Sequence, residues 1–561
     1  MLFLNSNPRK RATLIAISVF SVLFIFVQLI PYDYDSLTIP DSLLIWGTDD
    51  SISIEEETND INDNKTNSNH HKDKSISSSS SQSTEKYLTY LPYSRFSNQR
   101  GILLNAILLA KYLNRTLVVP PLFLGYANGW SPGPLLYSVL DHMTDPRLQE
   151  KCFDSDGVLV PEEPIVTLDM PTFGCFNFTA YTIVPWSEVT DLKQLSKPEE
   201  KGGLGVKIIE RSDMSLSTLK NQLNILDDKD VYLMSDSSRY QWHYYEGNDD
   251  PIQVNPRYEN EISISQLAAY EQKVIHFYGI FGYDRISLTS TESEYYRLKI
   301  QQSLLIKHPV VMDSSSMILE QLLNGLDKSK DELMPLDSIQ AQQEQQQLSQ
   351  EEKKEELPKF VAAHVRAGDA DFLKGLKNRV PQFVWELWAI KNGNETIAND
   401  LVGFSNNKTA MEDILNTKVY PDGPLPKAPA SIHKQLTHLS ITDRLKKCTS
   451  LNQMILYVAT DAIKPRENPD LQPIFDAFPC TFVMADFDYL DWREPLKSLR
   501  SSLDPHKELT NDLLMFVDAT ICAWAERFVG TRTSTFSNYI LQYRHAIVDD
   551  IIEKENQEDL L

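Results

Sequence analysis

Arg366 is the residue on which the most chemistry could turn. It sits in His364-Val-Arg366-Ala-Gly368-Asp369, directly after the apolar run Phe360-Val-Ala-Ala363. A guanidinium stays charged at physiological pH and offers a planar fork to two phosphate oxygens, while a glycine nearby lets the backbone approach such a ligand closely. Ser534, Thr535 and Phe536 follow a second apolar stretch, Phe528-Val-Gly530, where a helix is expected to begin and its free N–H groups suit an anion. Thr460 and Asp461 follow the run ending Tyr457-Val-Ala459. Arg95-Phe96-Ser97-Asn98-Gln99 follows a fourth run and leads into a helix. Ligands of parallel α/β sheets bind beyond the carboxyl ends of the strands, and a nucleotide diphosphate fits this set of residues. The structural alternative is that Arg366 bridges to Asp369 and that Thr533-Ser534-Thr535 simply caps the last helix.

Asp518 lies within the apolar stretch Leu513 to Trp524, with Leu514 four residues before it and Ile521 three after. That spacing puts a carboxylate on or near the core stripe of a helix, where it needs a partner, either a ligand or a buried structural donor. Two Asp-x-Asp triplets, Asp369-Ala-Asp371 and Asp486-Phe-Asp488, could in principle hold a divalent cation. In a chain with formal charge −24 such pairs are expected as solvated loop carboxylates, and no metal is predicted. The same acidity argues against a nucleic-acid partner. Five cysteines without a Cys-x-x-Cys spacing disfavour zinc and allow one or two disulfides, with one thiol left over.

The elements that must position these residues can be read from the apolar pattern. Tyr87 to Leu91 reads as a strand, and Pro92 to Gln99 as a loop. Ile102, Leu103, Ala106, Leu109, Ala110 and Leu113 fall at helical spacing, and Thr116 to Pro120 reads as the next strand. The scheme repeats with strands at Phe360 to Val365, Met454 to Ala459 and Thr481 to Met484. Unbroken apolar strands between helices imply parallel sheets covered on both faces, hence a two-domain α/β protein. The expected boundaries are an N-terminal domain over 85–327, a Gln- and Glu-rich insert over 328–357, a C-terminal domain over 358–548, and an acidic tail over 549–561.

Ahead of these lies a charge-free stretch, Ala12 to Ile30, that would span about 28 Å as a helix, close to the thickness of a bilayer core. Arg9, Lys10 and Arg11 precede it, so the residues 1–11 are expected to be cytoplasmic and the rest lumenal. Its length and flanks favour an uncleaved anchor over a signal peptide. Residues 31–84, rich in Ser, Asn, Asp and Glu, read as a low-complexity stem. Sequons at Asn64, Asn114, Asn177, Asn394 and Asn407 agree with that topology.

Taken in order, the chemistry-bearing segments resemble the GDP-fucose protein O-fucosyltransferase family, most closely its first animal-type branch and related fungal sequences. Arg95-Phe-Ser-Asn-Gln99 resembles the family's Arg-Phe-Gly-Asn-Gln, and Leu109-Ala-Lys-Tyr-Leu-Asn-Arg-Thr-Leu-Val-Val-Pro-Pro121 the run that follows it. His364-Val-Arg-Ala-Gly368, Tyr457-Val-Ala-Thr-Asp461, Phe528-Val-Gly530 and Ser534-Thr-Phe536 match its later motifs, and Asp518 falls where the family has an aspartate.

The resemblance implies a GT-B-like fold, two Rossmann-like domains facing a central cleft, and an inverting, metal-independent transfer of fucose from GDP-fucose to a protein Ser or Thr hydroxyl. It also implies that Arg366 stabilises the leaving GDP and that Asn98 positions the acceptor. Phe96, Ser97, Asn98, His364, Asp461, Asp518, Ser534, Thr535 and Phe536 would then line the donor. No cofactor is implied; the partners are GDP-fucose and a glycoprotein or glycan acceptor. Together with the anchor and stem, it implies a type II protein of the Golgi membrane, or of the endoplasmic reticulum membrane. Three departures stand out. Ser97 replaces a glycine and should tighten the donor loop if that position needs positive φ, Asp369 comes one residue early, and 391–440 has no counterpart. No catalytic base is assignable. The rival readings are a fucosyltransferase acting on a glycan or cell-wall polysaccharide, an inactive glycan-binding relative, and a tethered adhesion protein.

Overall fold

Apolar four- and five-residue runs with β-branched or aromatic side chains pair in parallel when both faces can be covered. Among the described residues the first half forms ten strands, not all of them such runs: β1 (Tyr87–Tyr90), β2 (Thr116–Val119), β3 (Leu122–Gly125), β4 (Tyr181–Val184), β5 (Ile208–Glu210), β6 (Val231–Met234), β7 (Trp242–Tyr245), β8 (Asn260–Ser263), β9 (Val274–Phe277) and β10 (Ile286–Ser287). Five of them make an all-parallel sheet in the order β5-β2-β1-β9-β6. β10-β7-β8 form a small parallel sheet and β3-β4 an antiparallel pair. In the second half β11 (Val361–Val365), β12 (Leu456–Thr460), β13 (Thr481–Phe482) and β14 (Arg527–Gly530) make a parallel sheet in the order β13-β12-β11-β14.

The computed structural model describes residues 85–125, 129–145, 147, 181–247, 257–282, 284–324, 360–368, 370–393, 423–532 and 534–558. The expected anchor at Ala12 to Ile30, the stem, the 328–357 insert, Asp369, Thr533, Cys152 and Cys175 lie outside them, as do the sequons at Asn64, Asn177, Asn394 and Asn407. No helix among the described residues is long and apolar enough to cross a membrane. The described residues form one compact unit.

Helix α1 (Phe96–Leu113) is buried on nearly every side, as its almost unbroken apolar sequence requires, and ends at Asn114, whose left-handed backbone closes the last turn onto Ala110 and Lys111. Packing of the later helices does not follow chain order. α2 (Thr291–Ser303) lies against α1, but α3 (Pro309–Asn324) runs along α5 (Thr510–Trp524) of the second half. α4 (Ala370–Lys391) covers the second sheet, and α6 (Thr535–Glu558) returns to pack on α5, α1 and α2. One apolar core therefore includes Leu88 and Leu103 of the first half with Ala362, Phe516 and Tyr539 of the second. Along β11 the side chains alternate: Ala362 joins this shared core, whereas Val361, Ala363 and Val365 pack on Leu376, Val380 and Val384 of α4. Ser501 and Thr182 add polar links between halves, through Ser501 Oγ donating to Ile183 O at 2.5 Å and Thr182 Oγ1 donating to Asp504 at 3.1 Å.

Cys448 and Cys480 form a disulfide that ties the helix Ile441–Ser450 to the start of β13, with Cα atoms 5.9 Å apart. Cys522 is free and buried in α5.

Candidate functional site

Three strand ends of the second sheet converge because their strands are neighbours. β11 pairs with β12 on one side and β14 on the other, bringing Val365 opposite Thr460 and His364 opposite Gly530. Arg366 leaves β11 with its backbone N–H donated to Thr531 Oγ1 at 2.8 Å, and Thr531 in turn donates its hydroxyl to His364 O at 2.8 Å. On the other side Asp461 Oδ1 accepts the N–H groups of Ala367 at 2.6 Å and Gly368 at 2.9 Å, while Oδ2 lies 3.2 Å from Arg366 Nε. A β-carbon at residue 368 would sit 2.6 Å from that Oδ2, so only glycine lets the carboxylate seat itself there. Arg366 is thus held at its own N–H by Thr531 and at Nε by Asp461, which also fixes the two residues that follow it. The bridge to Asp369 considered from the sequence falls on a residue outside the described ones.

His364 is buried, its Nδ1 within 2.7 Å of Ser537 Oγ and its ring edge-on to Phe536. Burial pushes its pKa down to about 4, with Asp461 opposing and Arg366 adding to the shift. The ring is therefore neutral near pH 7 and contributes hydrogen bonding rather than charge to the site. The folded value lies below the unfolded value near 6.5, so the stabilisation is complete above about pH 6.5 and lost as pH falls toward 4, about 3 kcal/mol in full. Urea midpoints at pH 7.5 and 4.5 are expected to fall further for the wild type than for His364→Gln. Equal pH dependence of the two would remove this assignment.

Asp518 meets Tyr457, whose hydroxyl donates to Oδ1 at 2.5 Å, so two motifs separated along the chain are joined by one hydrogen bond. Desolvation pushes the Asp518 carboxyl up to about 7 and the tyrosine bond draws it down. Ser534 caps α6 with its Oγ accepting Ser537 N–H at 3.4 Å, and Thr535 begins the helix. Phe536 is buried and stacks on Tyr539. Its ring is an element of the shared core at the edge of the site.

The first-half motif differs from its expected loop. Phe96 to Gln99 are the first turn of α1, with Arg95 at the N-cap. Ser97 is helical and buried, and the positive φ falls on Ser94, at +68°. A side chain at residue 97 therefore carries no backbone strain, and the expected tightening there does not arise. Phe96 packs edge-on against Phe516 of α5 and Tyr539 of α6, with centroids 4.6 and 5.2 Å away, which fixes this turn onto the helices that carry Asp518 and Phe536. Asn98 Nδ2 donates to Ser94 Oγ at 2.7 Å, while its buried Oδ1 has no hydrogen-bond partner. Gln99 is a packing residue: its amide bonds both backbone groups of Phe123.

Asp486 and Asp488 face separate arginines, Asp486 taking Arg466 Nε at 2.8 Å and Asp488 pairing with Arg493. No group of three His, Cys, Asp or Glu among the described residues could hold a metal ion. Thr531 and Ser537 are the site residues that sequence reasoning passed over. Thr531 could have been found from its place directly after β14; Ser537 could not, since its link to His364 depends on how α6 is turned.

No protein-family model and no curated protein matches the sequence. In its backbone the chain is similar to solved structures of POFUT1. One in complex with GDP-fucose has 13% identity and a TM-score of 0.32, with 83% of this chain and 95% of that chain covered. Another in complex with GDP has 12% identity and a TM-score of 0.32, with 82% and 96% covered. An apo form has 12% identity and a TM-score of 0.31, with 82% and 95% covered.

Proposed function

We propose that the protein is an inverting glycosyltransferase of GT-B type that moves fucose from GDP-fucose to a Ser or Thr hydroxyl of a protein, anchored by residues 12–30 with its catalytic unit in the secretory lumen of the Golgi. The observation that carries this reading is the seating of Arg366. A cation held at the carboxyl end of a central strand, with its own N–H bonded to the residue after β14 and the next two N–H groups bonded to the residue after β12, is preorganised for charge that develops on a leaving diphosphate. The ordered motifs at the other strand ends support it, because each brings a residue of a type that a sugar nucleotide needs. Arg366 takes the β-phosphate, the first turn of α6 with Ser534 and Thr535 borders the diphosphate, Asp518 takes the guanine or ribose, and Asn98 orients the acceptor hydroxyl. Without a metal in the reaction, Arg366 alone offsets the leaving-group charge.

The test is GDP release from GDP-fucose by the full-length protein in EDTA. Turnover there is expected, and strict dependence on added Mn²⁺ would count against the metal-free mechanism. GDP binding without any turnover would favour an inactive relative.

Asp518 supplies an independent check. If guanine N–H groups donate to it, they favour the carboxylate and lower a pKa that burial otherwise holds at about 7. GDP binding near pH 7 is then expected to release part of a proton, seen by calorimetry as heat that varies with the buffer's ionisation enthalpy. The Asp518→Asn variant should lose that variation; if it keeps it, the proton comes from elsewhere.

A further inference from the structure

The reading above leaves the acceptor's proton without a destination. At the carboxyl end of β6, in the first half, Asp236 is 4% exposed and neither of its carboxylate oxygens has a hydrogen-bond partner. A buried carboxylate in that condition is costly unless a donor joins it, and a hydroxyl is the smallest donor that can. A β-carbon at Gly279, just past the end of β9, would sit 2.2 Å from Asp236 Oδ2 and 3.9 Å from Trp130 Nε1, so the missing side chain is what lets the carboxylate lie where it does, with the indole nearby. Trp130 is only partly covered and offers both an N–H and an aromatic flank. The hydroxyls of Tyr93, past the end of β1, and of Tyr244, in β7, are also buried without partners, and both interact electrostatically with Asp236.

We propose that Asp236 is the general base of the transfer, accepting the proton of an acceptor hydroxyl held between it and Trp130 on the first-half side of the site. This rests on the transferase reading given above. In the step, the hydroxyl oxygen forms the new bond to the anomeric carbon. The bond from that carbon to the β-phosphate oxygen breaks, its electron pair leaves on GDP opposite Arg366, and the hydroxyl proton passes to an Asp236 oxygen. Inversion requires the base and the leaving group on opposite faces of the sugar, and here they belong to different halves of the chain.

The charged and titratable groups facing Asp236 support the assignment. Desolvation raises its pKa to about 7, with Arg285 lowering it and Glu259 raising it. Arg285 is fully buried and bonds the carbonyls of Phe281, Trp242 and Arg239, so its charge tunes the carboxyl without neutralising it by contact. A base that titrates near the working pH is the efficient kind.

The experiment measures GDP release from GDP-fucose by the full-length protein with water as the acceptor hydroxyl. Asp236→Asn is expected to lower kcat by roughly a hundredfold or more, to leave the KM for GDP-fucose within about twofold, and to abolish the rise in rate through about pH 7. Gly279→Ala, which keeps the carboxylate but displaces it, should lower kcat in the same way, and melting temperatures establish that both variants fold. A kcat for Asp236→Asn within about threefold of wild type, or a lowered melting temperature with kcat retained, means an ordered water site only and overturns the proposal. A wild type that binds GDP and releases none sinks the transferase reading and this one with it. Loss of the variant's effect alone sinks only the base.

Discussion

Arg366→Ala is expected to lower kcat for GDP release by roughly a hundred- to a thousandfold, or about 2.7–4 kcal/mol of transition-state stabilisation, with a smaller change in KM. The asymmetry follows from where the charge is. In the proposed reaction the diphosphate's negative charge is shared over several oxygens before the sugar–phosphate bond breaks, and as it breaks charge grows on the oxygen that would face the guanidinium. Arg366→Lys should recover only part of the loss, because an ammonium is a point charge without the planar fork and cannot keep the Nε contact to Asp461 while reaching a phosphate. Asp461→Asn is a milder change, of about tenfold, since an amide oxygen can still accept the N–H groups of Ala367 and Gly368 that shape the turn. The double variant should be less impaired than the product of the singles, because both act on one unit. Steady-state kinetics of the four proteins decide the matter: turnover that survives Arg366→Ala would end the leaving-group assignment.

The largest effect on stability is expected one residue past the first motif. Arg100 is fully buried, its Nε donating to Leu304 O at 3.0 Å, Nη2 to Gln301 O at 2.6 Å and Nη1 to Gln542 Oε1 at 2.5 Å. Its guanidinium also lies over the Tyr539 ring, 5.1 Å from the centroid. Alanine there would strand two buried carbonyls, open a cavity, and detach α1 from both the end of α2 and from α6. A loss of about 3–5 kcal/mol follows from those combined mechanisms. Arg100→Lys should fall between, since one ammonium cannot reach all three acceptors. Equilibrium urea unfolding measures it, and an unchanged midpoint for Arg100→Ala would mean that α6 is not held through this contact.

Where the apolar pattern marks a strand, it does so within a residue or two. Tyr87 to Leu91 was read and β1 is Tyr87–Tyr90; Phe360 to Val365 was read and β11 is Val361–Val365. A run buried on both faces must be apolar throughout, and that leaves a mark no helix of the same length would need. The start of α1 was less legible. Ser97, Asn98 and Gln99 are polar and indifferent helix formers, so they read as loop, yet Gln99 and Arg100 are pinned by distant carbonyls that hold the turn. None of β3 to β10 is marked by the sequence pattern; in β8 (Asn260–Ser263) and β10 (Ile286–Ser287) polar residues or mere shortness leave no apolar run to read.

From local pattern alone the sequence determined that there would be parallel strands and that polar residues would stand at their carboxyl ends, since burial on two faces dictates the one and the need of backbone ends for partners dictates the other. Only the tertiary structure decided which of those residues meet. Arg366 finds Asp461 and Thr531 because β11 lies between β12 and β14; Tyr457 finds Asp518 because α5 covers that sheet; and Asp236 faces Gly279 because β6 pairs with β9. Strand order and helix placement come from packing the whole chain at once, which residues in one stretch do not encode.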